Sequence, residues 1–373
     1  MHLSEILAVC RHRCSTGDDA HLLDYATQVE DNPQDPYCLH RLTALCRQLG
    51  YDDLWPHAAR AALALPHVTY QQIYYRGATK LALGDWSGWA DRETRLFNPE
   101  ERLSQSTYAR KLQWAKQMWN GEDDLRDETL LLVADGFDGD CIQMLRYVPL
   151  LSSLCRQLIL GVSPALFSFV QHNVGPAVTV TFKEFNHAIP FQRFAWIMSL
   201  AAIFGQQEQF VPLTAPNPAT RSTRKTHRLQ IGLCSTGEDR YLAPLLHRDD
   251  LQWHMLQMED TPPDAAAYPR EAQALRPFYT YANAANFISG LDCVVSTRTP
   301  IAHLAGALGV PTFLLLPCGA DSRWGLGDTT PWYPSMRLLR QPAPGDWSTP
   351  IAALATELEA NRPATVISGA VAR

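Results

Sequence analysis

A chain of 373 residues has room for two or three domains, each with a sizeable core of its own. With 46% hydrophobic and 19% charged residues it has the make-up of a folded globular protein, and a net charge of -6 with no dominant basic stripe excludes nucleic acid as its default partner. No run of 18 apolar residues is present to span a membrane, the N-terminal "MHLSEILAVCRHRC" lacks the apolar core of a signal peptide, and the 9 cysteines are scattered without the spacing of a disulfide framework, so a reducing cytoplasm is the expected location.

In chain order, the first third is periodic. Pro33, Pro66 and Pro99 recur every 33 residues, Gly17, Gly50 and Gly84 recur at 33 and 34, and Trp55 and Trp89 keep the same offset. Apolar residues at helical spacing lie between these landmarks, as in "LHRLTALCRQLG" and "YRGATKLALG". A glycine at a tight turn and a proline before the next pair are what stacked helical hairpins require. Residues 1–115 therefore read as about three hairpins that resemble tetratricopeptide repeats. Each hairpin buries its face only against neighbours, so the array must cap itself or dock on the remainder of the chain. Trp55, Trp86 and Trp89 are expected to pack between helices, and Cys10 and Cys14, without a second ligand pair, read as helix residues.

From Glu128 onward strands alternate with helices. "TLLLVADGFDGDCIQMLRYVPLL" gives a strand, a Gly/Asp loop and a helix; "QLILGV" and "AVTVTF" are strands on either side of the helix "SPALFSFVQHN". "FQRFAWIMSLAAIFG" reads as an apolar helix or a strand-like extension into one. This first α/β half covers 116–215, a basic linker including "TRSTRKTHR" covers 216–227, and a second half covers 228–373. In that second half "LQIGLC", "LQWHMLQ", "DCVVST" and "PTFLLLP" are strands, with helices at "YLAPLLH", "YANAANFISGL" and "PIAHLAGALG". The expected fold is thus α plus α/β, with a cleft between facing sheets and ligands beyond the carboxyl ends of their strands.

Two loops lie at such ends. In "STRTPIAH", Ser296 and Thr299 are placed to cap a helix opened by Pro300, whose free N–H groups favour an anion. Arg298 adds charge at the tip, and His303, one turn in, either reaches a phosphate or a neighbouring hydroxyl or is a satisfied core histidine. In "ADGFDGDCIQ", Asp135, Asp138 and Asp140 crowd a turn whose Gly136 and Gly139 permit left-handed backbone or close approach, with Gln143 one turn further. The aspartates could supply a general base, hold a divalent metal, or merely shape the turn; their spacing matches no standard metal site. Asp321, Arg323 and Trp324 in "GADSRWG" and Trp332 and Tyr333 in "PWYP" reach the same edge, Arg323 as a diphosphate contact and the two aromatics as packing or as a base-stacking surface.

These residues carry a family likeness. "MWNGEDDLRDETLLLVADGFDGDCIQMLRYVPLL", "IMSL", "LDCVVSTRTPIAHLAGALGVPTFLLLP" and "DSRWGLGDTTPWYPSMRLLRQPAPGDW", with "LALGDWSGWADRETR" in the repeat region, resemble bacterial glycosyltransferases with tetratricopeptide repeats, whose catalytic part is similar to family-9 enzymes including the heptosyltransferases. The resemblance implies a GT-B pair of Rossmann-like domains, with acceptor on the first half and nucleotide-sugar donor on the second. It also implies transfer without metal or cofactor. It matches Asp140 to the catalytic carboxylate and Thr299 and His303 to the phosphate-binding pattern. The chain departs from the pattern at Arg298, where an Asp is usual, in the short "LCSTGEDRYL" loop, and in "ADGFDGD", where a Glu-Gln-Gly turn is commonplace. The expected function is inverting, metal-independent sugar transfer from a nucleotide diphosphate to a protein or glycan acceptor, the acceptor presented by the helical array. A catalytically inactive relative kept as a scaffold is the alternative, and an epimerase-like nucleotide-binding enzyme a third.

Overall fold

The structure, a computed structural model, describes residues 1–14, 20–97, 117–183, 190–207, 209–219, 228–256 and 278–360. Gly17, Pro99 and residues 220–227 of the 216–227 linker fall outside them.

The N-terminal region is helical: α1 (Leu3–Cys14), α2 (Ala20–Asp31), α3 (Pro36–Gln48), α4 (Trp55–Leu63), α5 (Tyr70–Ala82) and the short α6 (Gly88–Arg92). They pack as successive pairs, α1 on α2, α3 on α4 and α5 on α6. The punctuation acts as the sequence implies. Gly50 (φ 72°) and Gly84 (φ 83°) take the left-handed turns after α3 and α5, a conformation that costs a side-chain-bearing residue. Asp35 accepts the Tyr37 N–H at the start of α3, where Pro36 occupies the first turn. Thr69 and Gln72 form a reciprocal capping box at the start of α5. Ile6, Leu22, Leu39, Leu42, Leu54 and Ala58 are wholly buried between these helices.

Two five-stranded sheets follow, every pairing in them parallel. In chain order the first comprises β1 (Gln117–Met118), β2 (Thr129–Val133), α7 (Asp138–Met144), α8 (Val148–Ser152), β3 (Gln157–Val162), α9 (Pro164–Asn173), β4 (Val178–Phe182), β5 (Arg193–Trp196) and α10 (Leu200–Phe204), with strand order β1-β5-β2-β3-β4. The second comprises β6 (Leu229–Cys234), α11 (Ala243–Leu246), β7 (Leu251–Met255), α12 (Tyr281–Ile288), β8 (Cys293–Ser296), α13 (Pro300–Ala307), β9 (Thr312–Leu316), β10 (Met336–Arg340) and α14 (Ser348–Ala360), in the order β10-β9-β8-β6-β7. Strands such as "TLLLV" and "TFLLL" are buried along their whole length, as parallel strands covered on both faces must be. The ambiguous 191–205 stretch resolves into both options in succession, the strand β5 and then a short helical stretch through α10.

The three regions share one interior. Leu130 and Leu132 of β2, Ile301 and Leu304 of α13 and Trp89 of the helical region belong to a single buried apolar cluster. Trp86 and Trp89 do more than pack helix against helix: their rings lie 4.9 and 5.8 Å from that of Trp332, at 0% exposure in the C-terminal half. Arg47 donates to the Ala320 carbonyl at 3.0 Å, and Gly319 leaves space where a side chain would meet Gln48 backbone at 2.7 Å. The helical array thus docks on the sheets, burying the face it cannot satisfy alone. Among the described residues no helix is long and apolar enough to cross a membrane.

Candidate active site between the two sheets

Each sheet has a point where the chain's direction of growth reverses, beside β2 in the first and beside β6 in the second. Loops leaving such neighbouring strands part in opposite directions and open a crevice at their carboxyl ends. The loop after β2 runs into α7, and the loop after β8 runs into α13; the two helices pack directly on each other. Gly139 makes that contact possible, since a Cβ there would lie 2.8 Å from His303 Cδ2 and 3.1 Å from Pro300 Cα. Gly136 serves the same purpose within its loop: a Cβ would sit 2.6 Å from Asp140 Oδ2. Neither glycine takes positive φ, so close approach and not left-handed backbone is what they provide.

Between these helices opens a cavity of about 450 Å³ whose wall includes Asp140, Arg298, Thr299, His303, Asp321 and Arg323. Residues 183 positions apart therefore meet at one site. Asp140 accepts the Phe137 backbone N–H with one oxygen (2.9 Å) and pairs with Arg323 through the other. Arg323 also donates to Gln143 Oε1 at 3.1 Å and lies 3.3 Å from Asp321. Burial alone would depress the guanidinium, but Asp321 and Asp140 outweigh it and raise its pKa. Trp332 Nε1 holds the Arg323 carbonyl at 2.9 Å, so the residue is fixed at both ends.

His303 is 8% exposed and bonds the Tyr333 hydroxyl through Nδ1 at 3.0 Å, with its ring 5.1 Å from that of Trp324. Burial first, and the adjacent Arg323 second, push its pKa down to about 3, so it is neutral at physiological pH. Tyr333, raised by its own burial, stays protonated beside it. Trp332 and Tyr333 are both core residues, which makes them packing and not a base-stacking surface.

The expected caps of α13 are not made. Ser296 and Thr299 hydroxyls bond each other at 2.8 Å, Ser296 also reaches the Cys234 carbonyl at 3.0 Å, and Thr299, in the N-cap position of α13, makes no side-chain cap bond. The reason is burial: both residues are sunk at the end of β8 and satisfy their hydroxyls inside. The first turn of α13 therefore faces the cavity uncapped. Arg298, at the exposed tip, makes no hydrogen bond or ion pair with any described residue and is thus the uncommitted cation of this wall.

The three aspartates of "ADGFDGD" go to three different places. Only Asp140 reaches the cavity. Asp135, its side chain 1% exposed, pairs with Arg95 at 3.1 Å and accepts the Met198 N–H at 3.0 Å, tying the helical region to the first sheet. Its burial raises its pKa despite Arg95. Asp138 accepts the Ser163 hydroxyl at 2.8 Å at the head of α9. Three carboxylates so dispersed share no ligand sphere, and Asp135, Gly136 and Asp138 act as framework to the site. Gln143 stands behind Asp140, its Nε2 buried without a partner among the described residues.

Several residues here carry no sequence signal. Thr236 and Thr297, just beyond the ends of β6 and β8, place their hydroxyls 3.2 Å apart. Arg146 lies over the rings of Trp332 and Tyr333 and braces the two halves. Phe137, 84% exposed, forms part of the cavity rim. An ordinary alternation of polar and apolar residues conceals all of them; only the strand-end rule could have singled out Thr236 and Thr297.

No family model and no curated protein matches the chain. Among solved structures, the iron-containing dodecameric glycosyltransferase TibC of enterotoxigenic E. coli is 14% identical with a TM-score of 0.41, over 52% of this chain and 59% of that one. The E. coli heptosyltransferase WaaC with ADP is 13% identical, TM-score 0.42, over 62% and 99%. The Thermobaculum terrenum O-GlcNAc transferase is 17% identical, TM-score 0.24, over 91% and 57%. The chain thus spans less than two thirds of TibC's length.

Proposed function

We propose that this protein is a glycosyltransferase that moves a sugar from a nucleotide diphosphate to an acceptor hydroxyl by single, inverting displacement. The observation that carries the proposal is a carboxylate, Asp140, facing the uncapped N-terminal turn of α13 and the uncommitted Arg298 across one cavity. In this scheme Asp140 takes the acceptor hydroxyl proton as the acceptor oxygen attacks the anomeric carbon. The bond from that carbon to the donor oxygen breaks, and the electron pair leaves with the nucleoside diphosphate. The α13 N–H groups and Arg298 stabilise the departing charge. His303, neutral, donates or accepts a hydrogen bond without adding charge. Arg323 is shared by Asp140 and Asp321, so an arriving diphosphate competes with both carboxylates for it. Drawing Arg323 toward the donor frees Asp140 to act as base. The helical array presents the acceptor, and the reaction uses neither metal nor organic cofactor.

A second reading has its own observation. Asp140 is already paired with Arg323, which Asp321 also holds, as expected of a scaffold that binds a nucleotide or a protein without turnover. Release of nucleoside diphosphate from a panel of nucleotide sugars decides between them. Transfer or slow hydrolysis by the native protein that Asp140→Asn abolishes, at unchanged unfolding temperature, supports the transferase. Nucleotide binding without release from any donor supports the scaffold.

A further inference from the structure

The rim of the cavity carries a feature that the transfer scheme leaves unused. Phe137 is 84% exposed, while Trp324, which shares the cavity wall with it, is at 2%. An isolated exposed aromatic is ordinary on a surface, but this one lines a cavity. It is also held in place: its backbone N–H is bound by Asp140 Oδ2 at 2.9 Å, and its φ of -71° and ψ of 163° are relaxed extended values. The backbone that carries the exposed ring is therefore fixed by the carboxylate three residues on.

Resting on the transferase reading, we propose that Phe137 is a specificity residue that stacks on the apolar face of a pyranose acceptor and so presents its hydroxyl to Asp140. A pyranose offers two chemistries at once, a face of C–H groups and a rim of hydroxyls. The wall around Phe137 matches both, with a free aromatic face next to the carboxylates of Asp140 and Asp321, which accept hydroxyl hydrogens. Position assigns the ring to the acceptor and not to the donor. The anion-binding turn and Arg298 belong to the second sheet, and Phe137 stands opposite on the first, three residues from the base. A serine or threonine side chain in a peptide has no comparable apolar face, so this geometry favours a glycan as acceptor.

Saturation-transfer NMR with methyl pyranosides of gluco, galacto and manno configuration tests this on the full chain, with open-chain alditols and a serine-containing peptide as comparators. Saturating the protein's aromatic protons should mark the ring protons of at least one pyranoside and leave the alditols unmarked. Phe137→Ala should weaken that pyranoside about tenfold, and Phe137→Trp should retain it. An unchanged signal in Phe137→Ala, no marked pyranoside at all, or preferential marking of the peptide each overturns the proposal. Nucleoside diphosphate titrations on the same samples separate the two claims. Intact nucleotide binding with no Phe137-dependent contact sinks the acceptor platform alone, and absent nucleotide binding sinks the transferase reading whatever the pyranosides do.

Discussion

The loop after β2 and the loop after β8 hold equivalent stations at the carboxyl ends of their sheets, and they treat charge in opposite ways. In the first, Asp135, Asp138 and Asp140 each have a partner: Arg95, Ser163 and Arg323. In the second, Arg298 is exposed and engages no described residue, and the helix it precedes lacks a side-chain cap. A wall of satisfied carboxylates is held rigid, whereas a wall whose exposed arginine pairs with no described residue is prepared for something absent from the chain itself. Acidic crowding alone, then, does not make a catalytic site. Of three aspartates within six residues, the environment commits two to architecture.

The largest effects should come from exchanging the roles of the aspartates. Asp140→Asn should cost about 10²- to 10⁴-fold in sugar transfer, the usual worth of a general base, with little change in stability. Asp135→Ala should do the reverse. Removing a carboxylate that is 1% exposed takes away one of the two carboxylate partners of Arg95, leaving Glu93, and strips the Met198 N–H of its acceptor, so urea unfolding should lose about 1–3 kcal/mol. Equal effects of both substitutions on turnover would erase the distinction.

Next comes the contact that joins the two walls. Gly139→Ala forces a methyl against Pro300 backbone and the His303 ring, and should cost about 1–3 kcal/mol of stability while weakening ligand binding. Gly84→Ala has open space around it, so only its left-handed φ of 83° counts against it, about 1 kcal/mol.

Acid acts on the cavity wall through His303 and on the helical region through His40, which is buried in α3 against Thr79 and His67. Burial first, then His67 for His40 and Arg323 for His303, pushes both histidines down to about 3. Unfolded, they would titrate near 6.5, so between that value and about 3 the unfolded chain binds more protons. Their stabilisation is full above pH ~6.5 and is lost on acidification, at up to about 1.4 kcal/mol per pH unit for each. Unfolding midpoints measured from neutrality downward should fall through this window, and a His303→Gln variant that remains folded should fall less steeply.

Much of this architecture was legible beforehand, because it rests on local signals. Gly50 and Gly84 mark turns that only positive φ allows, and unbroken apolar runs such as "TLLLV" mark strands covered on both faces. The neighbourhood of Asp140 with Arg298, Thr299 and His303 was legible too, since each loop follows a buried strand and the ligand rule for such sheets concerns strand ends. What escaped depends on tertiary distance. No local pattern shows that Trp86 and Trp89 meet Trp332, or that Arg95 neutralises Asp135 from 40 residues away. Strand β1 has 2 residues, too few for a periodicity to register, and β10, with Arg337 and Arg340 among its residues, lacks the unbroken apolar run of "TLLLV". Ser296 and Thr299 misled for the opposite reason. Their types suit a helix cap, yet burial at the end of β8 turned their hydroxyls toward each other.

Whether this cavity receives a nucleoside diphosphate against an open positive wall is decided by calorimetric titration of a nucleoside diphosphate panel into native protein and Arg298→Glu. At least one base should bind the native protein one to one, and Arg298→Glu should weaken it about tenfold or more while unfolding temperature holds. Heats absent across the whole panel, or affinities that ignore the reversal of charge at Arg298, would contradict the donor site and with it the transfer reaction.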